Sequence, residues 1–364
     1  MKKLRFLAAL ILALSLVLPL PVMAASGGED SCGDGLTWLL EEGTLTIRGQ
    51  GGMYWYDMGA APWYPQRLEI RRVVVEEGVT SLSYCAFFYL TELTEASLPQ
   101  SLRELGSMAF YGCAALEAVE LPAGVTSVGR YAFFGCSKLT AITVSPENTV
   151  YRDMDGVLFQ DTQLLCYPPA REGEEYAVPE GTEKLGECAF SYCGLRRVSI
   201  PAGVWLVDPT ALTDCHSLEA VEVAWDNWFY TAEGGVLYTY DKSTLLCYPP
   251  QRAGASFSVP AEVTGVAIRA FACCDALKRV DILGTLSSLG SLAFEKCGSL
   301  RQVVFHGGVP GSVGFMPFPG EVTVYHLQGK PGWENADVSG WNAADLQTWA
   351  VGGGLLQNRG RLLK

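Results

Sequence analysis

Residues 109–131 read Ala-Phe-Tyr-Gly-Cys-Ala-Ala-Leu-Glu-Ala-Val-Glu-Leu-Pro-Ala-Gly-Val-Thr-Ser-Val-Gly-Arg-Tyr, and Ala132-Phe133-Phe134-Gly135-Cys136 then starts the pattern again. The Ala-Phe pair recurs at Ala86, Ala109, Ala132, Ala189, Ala270 and Ala293, with Ala211-Leu212 as a variant. Four residues after each Ala stands Cys113, Cys136, Cys193, Cys215, Cys274 or Cys297; the first copy has Leu90. An L-x-x-V-x-I pattern follows, as in Leu116/Val119/Leu121, Leu195/Val198/Ile200 and Leu277/Val280/Ile282. Alternation within V-x-I gives a short strand with one buried face. A fixed period of this length is the mark of stacked coils, each covering its neighbour's apolar face. The small Ala and the Cys between strands predict a brief helical or 3₁₀ turn.

The last apolar residue of each strand falls at Val75, Leu98, Leu121, Val144, Val178, Ile200, Val223, Val259, Ile282 and Phe305, in steps of 22 or 23 residues except for two long ones. Both long steps carry one insertion. Asp155-Gly156-Val157-Leu158-Phe159 leads to Leu164-Leu165-Cys166-Tyr167-Pro168-Pro169, and Gly234-Gly235-Val236-Leu237-Tyr238 leads to Leu245-Leu246-Cys247-Tyr248-Pro249-Pro250. Two β-runs around a polar turn predict a hairpin flap on the coil edge, near 148–176 and again near 227–256.

The ends differ from the repeats. Lys2, Lys3 and Arg5 precede an apolar run from Phe6 to Leu18, and Val22-Met23-Ala24 offers a cleavage site, so residues 1–24 read as a secretory signal. That run is shorter than the roughly 20 residues a spanning helix needs, and no later stretch reaches it, so the mature chain is not expected to insert in a membrane. Residues 25–67 hold Gly35-Leu36-Thr37-Trp38, Gly43-Thr44-Leu45-Thr46-Ile47, Trp55 and Trp63-Tyr64, and read as an N-terminal cap. The solenoid spans 68–326. Residues 327–364, with Trp333, Trp341 and Trp349, read as a C-terminal cap and a short basic tail.

Composition narrows the partners. The 364 residues carry a formal charge of −13, with 26 Lys and Arg against 39 Asp and Glu. Nucleic acid, which demands a basic footprint, is disfavoured. Hydrophobic residues make up 49% and mean hydropathy is +0.18, enough for a large core, so disorder is excluded.

The L-x-x-V-x-I-P strand, the V-T-S-x-G turn and the A-F-x-G-C piece at 23 residues resemble the BspA-like leucine-rich-repeat family of bacterial secreted and cell-surface proteins. The Cys32-Gly33-Asp34-Gly35-Leu36-Thr37-Trp38 opening, the Ala61-Pro62-Trp63-Tyr64 segment, both insertions and the Thr323-Val324-Tyr325 strand resemble segments that accompany such repeats. The resemblance covers about residues 32–350. It implies a β-rich leucine-rich-repeat solenoid with two hairpin insertions and aromatic caps, no catalytic activity, and binding or adhesion outside the cell.

Residues that could carry chemistry have blander readings. The six repeat cysteines, Cys113, Cys136, Cys193, Cys215, Cys274 and Cys297, are expected to stack as a ladder of free thiols, because stacked side chains point in parallel. Cys166 and Cys247 match each other and read as packing. Cys32, Cys85, Cys188 and Cys273 are irregular and make the better disulfide candidates, with no pairing legible. Cys188-x₄-Cys193 and Cys273-Cys274 lack a second ligand pair for zinc, and His216, His306 and His326 lie in no catalytic signature. Asp153-Met154-Asp155-Gly156 begins like a calcium loop, but no further acidic ligands follow, which leaves a hairpin turn. Tyr54-Trp55-Tyr56 and Trp63-Tyr64 could stack on sugars, yet burial in the cap is favoured.

What remains is the outward face of the strands: Glu95/Ser97, Ala118/Glu120, Ala141/Thr143, Arg197/Ser199, Ala220/Glu222, Arg279/Asp281 and Gln302/Val304. The sequence reading is therefore a secreted, non-catalytic module without cofactor. Its expected partner is an extracellular protein or surface polymer, met through Glu95, Ser97, Glu120, Thr143, Arg197, Ser199, Glu222, Arg279 and Asp281 and through the hairpins. The tail shows no sorting motif, so release or loose retention at a bacterial surface is expected. A structural spacer and a carbohydrate binder using the aromatic N-terminal segment are the alternatives.

Overall fold

In the strand Ala118–Leu121, Val119 and Leu121 are buried while Ala118 and Glu120 are exposed. This is the alternation that V-x-I demands. The next coil pairs with it in parallel, Ala118 opposite Ala141 and Leu121 opposite Val144, an offset of one repeat. The computed structural model describes residues 31–349 and the strand Leu355–Leu356. The predicted signal, residues 1–24, and the basic tail lie outside the described residues. Repeating that pairing gives a parallel β-solenoid of about 12 turns.

Each coil contributes a long strand and a short one, and both stack. The long strands form a seven-stranded sheet from the N-terminal antiparallel hairpin through Ala141–Val144. A three-stranded sheet (Glu175–Ala177, Arg197–Ile200, Ala220–Val223) and a six-stranded sheet beginning at Ser256–Val259 follow. The short strands, such as Glu104–Leu105 and Ser127–Val128, stack on another side of the coil.

The Ala-Phe-x-x-Cys piece is not helical, contrary to the expected turn of helix. Among the described residues there is no α-helix, and 3₁₀ helix is confined to Tyr64–Gln66 and Trp333–Asn335. The backbone instead enters the left-handed region twice in most coils, as at Met108 (φ 56°) and Gly112 (φ 73°) and at Cys188 and Tyr192; the Ala211 coil does so once, at Asp214. Hydrogen bonding explains it. The N–H groups of Met108, Phe110 and Gly112 donate to Arg130, Ala132 and Phe134 of the next coil, at 2.8–2.9 Å. Those of Ala109, Tyr111 and Cys113 turn back on their own coil. A helix would send every N–H along its own chain and leave the coils without this third lateral ladder. The left-handed residue before Cys is where glycine stands in the A-F-x-G-C motif, since glycine adopts that conformation without steric cost.

The insertions also differ from the expected flaps. Each is a three-stranded antiparallel meander: Tyr151–Met154, Val157–Gln160 and Gln163–Cys166, then Tyr230–Glu233, Val236–Thr239 and Thr244–Cys247. The third strand continues the short-strand wall by pairing in parallel with Lys184–Leu185 or Gly265–Val266. Val157, Phe159, Leu164 and Tyr167 are buried, so the meander is a piece of wall. Tyr167 and Tyr248 occupy the repeat-Phe position: their N–H groups donate to Ala189 and Ala270, and their rings lie 5.6 and 5.2 Å from Phe190 and Phe271. Asp155-Gly156 and Gly234-Gly235 both have positive φ at the two central turn positions, as a two-residue type I′ hairpin requires. Asp153 accepts from the backbone N–H groups of Val144 and Gly156, so its carboxylate is spent on the turn.

An aromatic stack runs inside the coils, Trp63–Phe87–Phe110–Phe133 at one end and Tyr248–Phe271–Phe294–Phe318–Trp341 at the other, with neighbouring centroids 4.7–6.1 Å apart. Trp63 is buried and donates through Nε1 to Ala86 O at 2.9 Å. Trp333 and Trp341 are buried at the far end. There Asp345–Trp349 pairs in parallel with Thr323–Leu327, adding a coil beyond residue 326.

Candidate functional site

The outward positions of the long strands fall on one face, divided by the insertions into panels. In the first panel Glu95, Ser97, Glu120 and Thr143 are exposed. Glu95 pairs with Arg72 across the register at 3.1 Å. Glu95, Ser97, Gln100 and Glu120 border a shallow acidic groove of about 280 Å³. In the second panel Arg197 lies between Glu175 (3.3 Å) and Glu222 (2.6 Å), and Ser199 donates to Glu222 at 3.1 Å. The Arg197 guanidinium holds the Glu222 carboxyl below the usual carboxylate range. In the third, Arg279 grips Asp281 through two nitrogens at 2.7 Å, and His306 Nε2 lies 2.7 Å from the same carboxylate. Val304, expected to face outward, is buried: it stands in register between Asp281 and Tyr325, and Tyr325 is itself buried. The three panels thus present different surfaces, open and acidic, then ion-paired, then partly closed.

Two pairs of residues that sequence reasoning missed hold the insertions in place. Asn148 donates through Nδ2 to Pro122 O and Val125 O and accepts from Val150 N and Tyr151 N, all at 2.8–2.9 Å. Asn227 repeats this with Pro201 O, Val204 O, Phe229 N and Tyr230 N. Tyr151 and Tyr230 hydroxyls accept from Val128 N and Val207 N at 2.8 Å. The equal 79-residue spacing of the two pairs was the available signal.

The repeat cysteines form hydrogen-bonded rungs. Sγ of Cys113, Cys136, Cys215 and Cys297 donates to the Phe carbonyl of the preceding coil, at 3.1, 3.1, 3.1 and 2.9 Å. Cys274 donates to Tyr248 O at 3.6 Å, while Cys193 points at Cys215 Sγ, 4.0 Å away. A small apolar side chain with one weak donor suits that slot. Burial pushes the thiols of Cys113, Cys136, Cys215 and Cys274 well up, and those of Cys166 and Cys247 to about 12. All twelve cysteines are free thiols, including the disulfide candidates Cys32, Cys85, Cys188 and Cys273. Cys188 lies beside Thr210 Oγ1 and Cys273 beside Asp214, in each case a residue of another coil. Thiol titration in denaturant without reductant is expected to return twelve thiols, and native protein should react far more slowly. A titre short by even numbers would show disulfides.

Asp214, His216 and Cys273 offer ligand atoms within 4.8 Å of one another. Asp214 is already spent: Arg269 reaches it at 2.7 Å and Lys296 at 2.9 Å. Burial works to raise its carboxyl, but these two cations outweigh burial and hold it below its usual range. The group is an ion-pair hub that ties the coil before the second insertion to the two coils after it. At the first insertion the corresponding space is a cleft of about 330 Å³, where Arg130 and Tyr131 close on Glu187. The proposed sugar platform is split: Trp63 is wholly buried, whereas Trp55 is exposed and stacks on Tyr84 at 5.2 Å.

Stacked parallel strands, glycine or other left-handed residues in the linking turns, and an internal Phe and Cys ladder define a leucine-rich-repeat solenoid. The chain belongs to the BspA type leucine rich repeat family, whose model matches six copies over residues 64–165, 171–231 and 253–311. No curated protein matches it. Among solved structures it is similar to a leucine-rich repeat protein from Eubacterium ventriosum, at 20% identity over 81% of this chain and 86% of that one, TM-score 0.43. A leucine rich cell surface protein from Faecalibacterium prausnitzii is similar at 18% identity over 89% and 95%, TM-score 0.45. The pneumococcal vaccine antigen PcpA is similar at 16% identity over 88% and 98%, TM-score 0.46. Among the described residues no helix is long and apolar enough to cross a membrane.

Proposed function

We propose that the chain acts outside the bacterial cell as a secreted, non-catalytic binding module that engages an extracellular protein or surface polymer through the long-strand face. The observation that carries this reading is the first panel. Inward residues there are consumed by the core, while Glu95, Ser97, Glu120 and Thr143 stand exposed in register beside an open acidic groove. Family membership favours binding over chemistry, and the N-terminal residues read as an export signal.

Glu120 is the residue to test, because Glu222 is tied to Arg197 and its reversal would set two cations together. Partners captured from extracellular-matrix and bacterial-surface extracts are rebound to the parent and to Glu120→Lys. For a cationic partner the variant should associate several-fold more slowly at low salt, with the difference shrinking as salt rises. Stability should stay within about 0.5 kcal/mol, since the side chain is exposed. Unchanged association at low salt would remove the first panel from the binding face.

A further inference from the structure

The two insertions share one frame and differ in what they show to solvent. Asn148 and Asn227 make matching bonds, as do Tyr151 and Tyr230, and Arg171 and Arg252 donate alike to the turn carbonyls of Asp155 and Gly234. On that frame the first insertion carries Pro146, Thr149, Val150 and Asp161 where the second carries Trp225, Trp228, Phe229 and Tyr240. The coil beneath has Thr126 and Ser127 in the first case and Trp205 and Leu206 in the second. The frame therefore folds without these aromatic residues.

Nor does the fold bury them. Trp225 is 93% exposed, Trp228 72%, Tyr240 50% and Phe229 49%. Three of them are neighbours: Tyr240 N donates to Phe229 O at 2.8 Å, and the Trp228 and Tyr240 rings lie 5.9 Å apart; Trp225 stands three residues before Trp228 in the chain. Asn227 donates to Val204 O and the Tyr230 hydroxyl to Trp205 O at 3.4 Å, so the backbone of Trp205 adjoins the insertion. So many exposed aromatic residues on one insertion are uncommon on a surface that meets only water. Carboxylates rim it. Glu183 accepts from Trp205 Nε1 at 3.4 Å, Asp226 and Asp241 are exposed, and Lys242 is neutralised by Glu233 at 2.7 Å. Lys184 Nζ lies 5.1 Å from the Trp205 ring centroid, so that ring already receives a cation.

We infer that the second insertion is a docking site for a protein partner that presents lysine or arginine among apolar side chains. This rests on the reading of the chain as a binding module and places a principal contact off the strand face. Exposed Trp and Tyr supply the apolar centre that dominates protein interfaces, and the acidic rim selects a basic partner. A sugar chain is served less well. The Trp228 and Tyr240 planes are tilted by 43°, and Phe229 and Leu206 offer no hydrogen bond to a hydroxyl. An anionic membrane surface would be repelled by the same rim.

The first insertion supplies the control. Trp225→Pro, Trp228→Thr, Phe229→Val and Tyr240→Asp are combined in the full chain, with Trp228→Thr plus Tyr240→Asp as a milder variant should the fourfold change fail to fold. Parent and variants are titrated by tryptophan fluorescence and calorimetry with a twelve-residue Lys-Leu peptide, a Glu-Leu peptide of equal length, and cellohexaose. The parent should bind the Lys-Leu peptide saturably and ignore the Glu-Leu peptide, and the variants should raise Kd at least about tenfold. Equal Kd in parent and variants, or no binding by the parent, overturns the site. So does cellohexaose binding that only the variants lose, or a parent dimer that the variants abolish. If Glu120→Lys weakens peptide binding while the insertion variants do not, the binding-module reading stands and this site falls.

Discussion

Phe271→Ala is expected to lower the stability of the chain by about 3–5 kcal/mol. The ring is fully buried between Tyr248 (5.2 Å) and Phe294 (4.7 Å), with Phe257 at 6.0 Å. Its removal opens a cavity between coils whose spacing is fixed by backbone bonds on three sides, so the neighbours cannot collapse into it. Phe271→Leu should cost markedly less, because Leu212 already fills the same repeat position and is buried there. Urea denaturation followed by circular dichroism checks both. An unchanged midpoint for Phe271→Ala would mean that the stack contributes little beyond its neighbours.

Asn227→Ala should be nearly as damaging, at about 3 kcal/mol or more. It leaves Phe229 N, Tyr230 N and Val204 O without their partner, and Pro201 O with only its bond from Val204 N; each buried unsatisfied group costs about 1–3 kcal/mol unless water reaches it. Asn227→Asp is the sharper probe. A carboxylate keeps the two accepted bonds but sets negative charge against two carbonyl oxygens, so it should be no better than alanine at neutral pH and recover as acid protonates it. Asn148→Ala should match Asn227→Ala, since the frames are alike, and urea midpoints of the pair report it. Loss at one site without loss at the other would show that the two insertions are held differently.

The coil period and its buried face were legible because Val119 and Leu121, or Val280 and Ile282, alternate in register with every other copy. The linking turn was not. Ala109-Phe110-Tyr111 has no helix-breaking residue, and the left-handed backbone at Met108 follows from bonds to the next coil, which no local window contains. The meanders were half legible: Val157-Leu158-Phe159 reads as a strand, but Tyr151–Met154 carries Arg152 and Asp153 and looks like a loop. That the insertion enters the wall depends on Tyr167 standing in for a repeat Phe, a substitution visible only once the coils are stacked. On the candidate face, outward positions followed from the period, whereas the ion pairs of Arg197 and the burial of Val304 depend on neighbours a full coil away. The exposed aromatic residues of the second insertion stood in plain sequence. Nothing there distinguished them from a core.

Amide hydrogen exchange on the unmodified chain tests most directly whether the solenoid is one continuous wall that carries its insertions as structure. The amides of Leu158, Phe159, Leu237 and Tyr238 should be protected to a degree comparable with Val119 and Val280 in the repeat strands, because all are bonded in ladders over a buried face. Exchange of those four amides at the rate of an exposed loop, with Val119 and Val280 still protected, would contradict the account and restore the insertions as flaps.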